Sequence, residues 1–272
     1  MLRDNNHNIS SRRYALITGA SSGIGEAMAI YAATEGFDIG LTARREENLN
    51  SLAKKIHQQY GVEVDVFPMD LSKHDSAEKL VAQVLESGRH IDMLVNNAGM
   101  TIPPIFSSTD IEHQTAFLNL TIRTPVVLTH AALKGMSQNG WGRVINISSV
   151  MALSSGGKGN TLYPGGKAFL LKFSQSLNAE FKGQNIKVSA VLPGVVSTDF
   201  QRSNGGKEID SSKFSQTAEQ VARIAWNKNE KGQEIIIPGL SAKIAAILLS
   251  YMPERIVRFI TRPVAEKYYI GE

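Results

Sequence analysis

Short apolar runs alternate with longer amphipathic stretches along most of the chain. The runs are rich in β-branched residues, which is typical of strands, and the stretches carry apolar residues at the three- and four-residue spacing of a helix. The runs predict strands at Tyr14–Thr18, Phe37–Thr42, Val62–Pro68, Ile91–Asn96, Arg143–Ser148, Ile186–Leu192 and Glu234–Ile237. The stretches predict helices at Gly23–Glu35, Glu46–Gln59, Ser72–Glu86, Asp110–Ser137 and Tyr163–Phe181. We expect Ser72 to be the N-cap of its helix and Pro125 to mark a kink or break in the longest one.

This alternation predicts an α/β fold, a Rossmann-like doubly wound parallel sheet. The near-continuous apolar strands indicate a sheet that is covered by helices on both faces. No shift in composition marks a linker before residue 238. We therefore expect a flexible N-terminal arm (residues 1–12), a single dinucleotide-binding catalytic domain (13–238) and an amphipathic helical C-terminal extension (239–272).

Composition narrows the classes of function. The chain has 272 residues, of which 42% are hydrophobic and 20% are charged, which is ordinary for a soluble globular protein. It has no cysteine, which excludes disulfides, a thiolate nucleophile and cysteine-ligated metals and suits a reducing compartment, so we expect a cytoplasmic protein. The net charge of +4 is spread without a basic block, which predicts no nucleic-acid partner. No apolar stretch is long enough for a spanning helix, and the six histidines lack the spacing of metal ligands.

A glycine-rich run, Thr18-Gly19-Ala20-Ser21-Ser22-Gly23-Ile24-Gly25, follows the first predicted strand and opens the first helix. In that position glycines let the backbone turn tightly, so that N–H groups and the helix N-terminus face a pyrophosphate. The run predicts a dinucleotide site, and an ordinary tight turn is the alternative.

Tyr163 and Lys167 are four residues apart, which places them on one face of a helix. An ammonium there, beside a cationic nicotinamide, lowers the pKa of a tyrosine from about 10 toward the working range. Such a tyrosine is suited to general acid–base catalysis. The alternative for Tyr163 is a half-buried tyrosine whose hydroxyl is bonded locally.

Further motifs follow in a fixed order, namely Asn96-Asn97-Ala98-Gly99, Asn119, Ser148-Ser149 and Pro193-Gly194 with Thr198. With the glycine-rich run and the Tyr/Lys pair, they make the chain resemble the short-chain dehydrogenase/reductase family from about residue 14 to residue 237. The spacing from Ser149 to Tyr163 is one residue longer than the commonest spacing in that family, which we interpret as a loop insertion. Ser148 is the alternative to Ser149.

The resemblance implies a catalytic set of Asn119, Ser149, Tyr163 and Lys167. Tyr163 would exchange the substrate proton, Lys167 would lower its pKa and hold the nicotinamide ribose, and Ser149 would bond to the carbonyl oxygen. Asn119 would join a proton relay through its backbone and a water. The implied cofactor-binding residues are Gly19, Ser21, Ser22, Gly23, Ile24, Gly25, Arg44, Asp70, Leu71, Asn97, Ala98, Gly99, Tyr163, Lys167, Pro193, Gly194, Val196 and Thr198.

The end of the second predicted strand bears on the choice of cofactor. Ala43 stands where an aspartate would bind the ribose of NAD, and Arg44 offers a guanidinium to a 2′-phosphate, so NADP(H) is expected. The alternative for Arg45 is a solvated charge at the start of a helix. Asp70 either binds the adenine amino group or caps a helix.

We therefore expect an NADP(H)-dependent oxidoreductase that interconverts a carbonyl and an alcohol of a small-molecule substrate. The alternative is a nucleotide-binding regulatory or scaffold protein of the same fold without turnover. The resemblance also implies a homodimer or homotetramer formed through the long helix and the helix that carries Lys167.

The C-terminal extension is predicted to begin with an amphipathic helix that ends near Pro253. Its apolar residues fall at helical spacing, and they are Leu240, Ile244, Ile247, Leu248, Tyr251 and Met252. A second, basic and apolar segment follows. We expect the extension to pack over the substrate cleft or against a partner subunit, and peripheral contact with a membrane is the alternative.

Overall fold

The computed structural model describes residues 12–100, 106–154, 156, 161–197, 215–253 and 255–257. The strands are Tyr14–Thr18 (β1), Asp38–Ala43 (β2), Val64–Pro68 (β3), Met93–Asn96 (β4), Gly142–Ile147 (β5), Ile186–Val191 (β6), Val196–Ser197 (β7), Gln216–Thr217 (β8) and Ile235–Ile236 (β9). The α-helices are Gly23–Thr34 (α1), Glu46–Tyr60 (α2), Ser76–Glu86 (α3), Ile111–Leu118 (α4), Thr124–Asn139 (α5), Tyr163–Glu180 (α6), Ala218–Glu230 (α7) and Leu240–Tyr251 (α8).

Seven strands form one parallel sheet in the order β3-β2-β1-β4-β5-β6-β9, and β7 pairs with β8 separately. The predicted Rossmann-like, doubly wound sheet is therefore confirmed. Chain order reverses between β1 and β4, which lie side by side in the centre of the sheet. In open sheets of this kind ligands bind at the carboxyl ends of the strands near such a reversal.

Both faces of the sheet are buried, which explains why its strands are apolar at almost every position. In β1, Ala15 and Ile17 face a core shared with α1, α2 and α7, whereas Leu16 faces a core shared with α3 and α5. Each large aliphatic side chain buried in this way contributes about 1.5–3 kcal/mol. The sheet is thus a rigid platform for the loops at its carboxyl edge.

The third helix begins later than predicted. It starts at Ser76 with Asp75 at the N-cap position, so the assignment of Ser72 as N-cap is wrong. Ser72 instead donates both its backbone N–H and its hydroxyl to the Asp70 carboxylate, at 3.1 and 2.7 Å. In this local turn the N–H and the hydroxyl of Ser72 are both bonded to Asp70. The turn therefore replaces the contacts that a helix beginning at Ser72 would make.

The long predicted helix is interrupted ahead of Pro125. A π-helical turn, Asn119–Arg123, separates α4 from α5, and Pro125 lies in the first turn of α5. The N–H of Thr124 donates to the carbonyl of Asn119, five residues back. Because proline has no N–H to donate and its ring clashes with the preceding turn, regular α-helix does not continue through it. The expected break is present, and the structure places it over residues 119–123.

The first helix of the C-terminal extension is present as α8, which ends two residues before Pro253. Most of the N-terminal arm and the end of the extension, residue 254 and residues 258–272, lie outside the described residues. None of the helices in the described part of the chain is both long and apolar enough to cross a membrane.

Candidate active site

The turn between β1 and α1 presents backbone N–H groups at the carboxyl edge of the sheet. Ser22 is the N-cap residue of α1, and its extended backbone is accompanied by no side-chain cap. The first N–H groups of the helix therefore keep their capacity to bind an anion, and the helix dipole adds to it. Gly19 and Gly23 have φ angles of +65° and +60°, which favour glycine.

The glycine-rich turn is also packed closely against the end of β4. A Cβ atom at Gly25 would collide with the carbonyl oxygen of Gly19, and one at Gly19 would lie 2.8 Å from Asn97 Nδ2. Glycine at these positions brings the backbone within reach of a pyrophosphate without a side chain in the way.

Thr18 and Asn97 hold the two central strands together at this point. The Thr18 hydroxyl donates to the carbonyl of Val95 and accepts from the N–H groups of Asn97 and Ala98, each at 2.9 Å. Asn97 Nδ2 donates back to the carbonyl of Thr18 at 2.9 Å. Asn97 was predicted as a cofactor residue, and in the structure its side chain braces the turn. The part played by Thr18 was not predicted, although a threonine that ends a strand before a glycine turn is a signal for it.

Arg45 is the cation that lies over the glycine-rich turn. Its Nη2 donates to Ser21 Oγ at 3.0 Å and to Ser22 Oγ at 2.7 Å. Arg44, the predicted phosphate ligand, is exposed and makes no hydrogen bond or ion pair within the part of the chain that the structure describes. Arg45 is also exposed and is the N-cap residue of α2. Both observations agree with the alternative for Arg45, a solvated charge at a helix start.

Asp70 and Leu71 follow β3, and both make hydrogen bonds to neighbouring segments of the chain. Beyond its bonds to Ser72, Asp70 accepts the Ser76 hydroxyl at its backbone carbonyl, 2.7 Å away. Leu71 is buried in the core, and Thr124 donates to its carbonyl at 3.0 Å. Ile24, Ala98 and Gly99 are partly exposed.

The two serines after β5 have different surroundings. The hydroxyl of Ser148 is buried and donates to the backbone carbonyl of Lys167 at 2.7 Å. Ser149 Oγ accepts from the N–H of Met151 at 3.1 Å, which leaves its own proton to donate elsewhere. Ser148 therefore ties α6 to the sheet, and Ser149 keeps the donor that a carbonyl oxygen requires.

Lys167 is buried, with 6% of its surface exposed, and its Nζ donates to the carbonyl of Ile147 at 2.9 Å. Burial disfavours the charged form and lowers the pKa of Lys167 from 10.5 to about 8. Its Nζ lies 5.7 Å from the centre of the Tyr163 ring, one helical turn away. The ring of Tyr163 also packs against Phe117, with 6.4 Å between ring centres.

Two further features fix the position of α6. Asn146 in β5 donates to Ser174 Oγ at 2.8 Å, and Asn96 in β4 donates to Asn146 Oδ1 at 2.8 Å. A Cβ atom at Gly166 would lie 2.9 Å from the Phe117 ring, so glycine there lets α6 approach α4 closely. By contrast, a Cβ atom at Gly165 would meet only open space.

Asn119 lies at the start of the π-helical turn. Its Nδ2 donates to the carbonyl of Ser72 at 3.1 Å, and its backbone carbonyl accepts from Thr124. The side chain thus ties this turn to the loop after β3. A role for its backbone in a proton relay stays a prediction.

The loop after β6 completes the carboxyl edge. The carbonyl of Pro193 accepts from the N–H of Val150 at 3.1 Å, and a Cβ atom at Gly194 would contact Ala242 of α8 at 3.2 Å. Val196 is in β7, and Thr198 lies outside the described residues. No group of three histidine, cysteine, aspartate or glutamate side chains suited to a metal ion occurs in the described ranges.

Comparison with known proteins gives a consistent result. Residues 13–208 match the model of the short chain dehydrogenase family. The chain is 31% identical over 250 residues to 17-beta-hydroxysteroid dehydrogenase type 3 of Rattus norvegicus, covering 91% of this chain and 78% of that protein. It is similar to a solved structure from a study of 7beta-hydroxysteroid dehydrogenase stereoselectivity, with a TM-score of 0.84, 27% identity and coverage of 92% and 96% of the two chains. A short-chain dehydrogenase from Sphingobium yanoikuyae in complex with NADPH has a TM-score of 0.76 and 30% identity, covering 86% and 91%. The chain belongs to the short-chain dehydrogenase family.

Proposed function

We propose that the protein is an NADP(H)-dependent oxidoreductase that interconverts a carbonyl and an alcohol, with Tyr163 as the general acid and base. Family membership supplies the coarser statement, an oxidoreductase of carbonyl and alcohol groups that uses a nicotinamide cofactor. The observation that carries the finer proposal is the buried ammonium of Lys167 beside the Tyr163 ring, at the same sheet edge as the glycine-rich turn.

The residues at this edge fit a nicotinamide dinucleotide. The uncapped N-terminus of α1 and the side-chain-free glycines would hold its pyrophosphate. When bound, the cofactor supplies or accepts a hydride at its nicotinamide ring. The chain's own residues then have to position the substrate and move one proton.

Tyr163 and Lys167 act together in the proton transfer. At neutral pH, below its pKa of about 8, Lys167 is mostly cationic despite its burial. A cation in a poorly solvated position favours the phenolate of Tyr163 and lowers its pKa, so its hydroxyl gives up a proton more readily. The proton passes to the carbonyl oxygen in reduction and returns to Tyr163 in oxidation. Ser149 donates to the same oxygen and stabilises the negative charge that develops on it.

Preference for NADP(H) is supported by the surroundings of the glycine-rich turn. Ala43 ends β2, so no carboxylate repels a 2′-phosphate there. The guanidinium of Arg45, bonded to Ser21 and Ser22, offers a cation with two hydroxyl groups beside it. The similar structure in complex with NADPH points the same way. We assign the phosphate contact to Arg45 in place of Arg44.

We also propose a homodimer or homotetramer. Leu118 of α4 and Val126 of α5 are large apolar residues exposed by 41% and 37%. On α6, the rings of Phe169 and Phe173 are stacked with centres 5.4 Å apart and remain partly exposed. Burial of these side chains between copies of the chain would remove apolar surface from water. Light scattering that gives the mass of one chain at micromolar concentration would contradict this.

The decisive experiment replaces Tyr163 by phenylalanine. NADPH oxidation with a panel of ketones and aldehydes should fall by at least about a hundredfold, because the proton donor is lost. NADPH affinity, followed by fluorescence titration, should change little. The matched control is Tyr31→Phe, since the Tyr31 hydroxyl donates to Asn227 at the surface.

Substantial reductase activity in the Tyr163→Phe variant would refute the assignment of the acid. The alternative, a nucleotide-binding protein without turnover, would be favoured if the wild type binds NADPH but reduces no carbonyl compound. The pairing of Lys167 with Tyr163 argues against that alternative, because a protein that only binds a nucleotide needs no tyrosine tuned for proton transfer.

A further inference from the structure

Helix α8 buries two alanines, packs Leu249 partly against the core and exposes its other large residues. Ala242 and Ala246 are 2% and 4% exposed, and they face the body of the protein. Five large residues on α8 are exposed by 49% to 84%, and they are Leu240, Ile244, Ile247, Leu248 and Tyr251. A surface helix of a globular protein normally shows the opposite arrangement, with its large apolar residues against the core. The exposed set is called the outer face of α8 below.

The outer face is a continuous stripe. At 3.6 residues per turn, its five residues fall within an arc of about 100°, opposite the two buried alanines. Contiguous apolar surface of this kind marks a site of contact with another molecule. The protein covers the side of the helix that carries the two alanines and leaves the outer face exposed.

The inner side of α8 packs at the edge of the candidate active site. On its inner side, α8 packs into a cluster with Val150, Leu171 and Leu192, and Ala242 contacts Gly194. Val150 directly follows Ser149. Whatever covers the outer face is therefore brought next to the carboxyl edge of the sheet.

The charged residue of α8 at the border of the outer face is a cation. Lys243 and Arg255 are both exposed, and they are the charged side chains among the described residues from 239 to 257. Lys243 lies at the border of the stripe, where a long side chain lets its ammonium reach a polar surface while its stem covers apolar surface. Tyr251, exposed by 84%, combines an apolar ring with a hydroxyl, as do residues enriched at the border between lipid and water.

We propose that the outer face of α8 docks the protein on the surface of an anionic lipid bilayer. The helix lies in the interfacial plane, with its apolar residues in the acyl boundary and Lys243 and Arg255 at the anionic headgroups. It does not span, because its 12 residues extend about 18 Å and the hydrocarbon core is about 30 Å thick. This docking is independent of the proposed reaction, and it would place the candidate site beside the bilayer.

A second copy of the chain is the weaker candidate for the occupant. Five side chains on one 12-residue helix are few beside the roughly 20–30 residues that each side of a standard interface contributes. A stable protein interface buries about 800 Å² on each side and needs complementary shapes. A bilayer has no fixed shape to match, so it accepts a single narrow stripe.

The test is co-sedimentation of the full chain with vesicles. One set contains phosphatidylcholine with phosphatidylglycerol, and the other contains phosphatidylcholine alone. The wild type should bind the anionic set, more weakly at high salt. Ile244→Asp combined with Ile247→Asp should weaken binding more than tenfold, because both carboxylates would enter the acyl boundary. Lys243→Ser should weaken it about fivefold, the contribution of one cation at an anionic surface.

Leu85→Asp is the matched control, since Leu85 is 57% exposed on α3 and lies outside the outer face. It should bind as the wild type does. Circular dichroism and the Tm check that every variant folds, and Ile244→Ser with Ile247→Ser replaces the aspartate pair if that pair unfolds.

The proposal is overturned if the wild type binds neither set of vesicles, or if the double variant binds as tightly as the wild type. It is also overturned if the double variant lowers the mass measured by light scattering while no variant binds vesicles, because a second copy is then the occupant. A loss of turnover in these variants without a loss of vesicle binding counts against it as well, since it would make the outer face part of the reaction site.

Discussion

Replacing Lys167 by methionine should stabilise the fold while it removes activity. Burial lowers the pKa of Lys167 from 10.5 to about 8. This difference of about 2.5 pH units corresponds to about 3 kcal/mol of unfolding free energy lost at pH 7, at 1.36 kcal/mol for each unit. Methionine fills similar space without a charge, but it loses the hydrogen bond to the Ile147 carbonyl, worth about 1 kcal/mol. The variant should therefore be more stable by about 2 kcal/mol.

The stability gained by replacing Lys167 with methionine should decrease as the pH rises. The pKa of Lys167 is lower in the folded state than in the unfolded state, so between pH 8 and pH 10.5 the unfolded chain holds the extra proton. Wild-type stability, relative to the variant, therefore rises with pH across this window. The advantage of methionine is full below pH 8 and disappears above pH 10.5, where only the lost hydrogen bond remains.

Urea unfolding without cofactor, at pH 7 and at pH 10, measures both effects. A gain of about 2 kcal/mol at pH 7 would raise Tm by about 4–8 °C for a chain of this size. Lys172→Met is the control on the same helix, because Lys172 is exposed and bonds to Gln175 at 3.1 Å. It should change stability by less than about 0.5 kcal/mol. The argument from burial would be refuted if the Lys167→Met variant were less stable than the wild type at pH 7. It would also be refuted if the gain in unfolding free energy were as large at pH 10 as at pH 7.

Two further predictions use neighbouring residues as matched pairs. Gly166→Ala should destabilise the fold by about 1–3 kcal/mol, because the new methyl group would press on the Phe117 ring 2.9 Å away, whereas Gly165→Ala should gain up to about 1 kcal/mol in helix propensity. Equal effects in urea unfolding would contradict this account of α6. Arg45→Ala should weaken NADPH binding roughly ten- to a hundredfold and leave NADH binding unchanged, while Arg44→Ala should leave the preference intact. If titration calorimetry shows that Arg44→Ala weakens NADPH binding and Arg45→Ala does not, the phosphate contact belongs to Arg44.

The sequence by itself determined the features that depend on local geometry. Near-continuous apolar runs located the seven strands of the main sheet, because both faces of that sheet are covered. Apolar residues at helical spacing located five helical stretches, one of which the structure divides into α4 and α5. The four-residue spacing of Tyr163 and Lys167 placed them on one face of α6 for the same reason. One helix, α7, was not predicted, although Thr217 and Gln220 form a capping box at its start.

The tertiary structure determined which of two adjacent residues of the same type contacts a given group. Ser148 and Ser149 have the same chemistry, but consecutive residues at the end of a strand point in different directions, so one bonds to α6 and the other keeps its proton. Arg44 and Arg45 differ in the same way, and only the fold brings Ser21 beside the second of them.

Helix α8 shows the limit of the sequence most clearly. The pattern predicted an amphipathic helix that packs over the substrate cleft or against a partner subunit. The helix approaches Gly194 through Ala242, packs Leu249 partly against the inner cluster and exposes its five other large residues. Periodicity states which residues share a face, whereas the shape of the surface that receives the helix decides which face is buried.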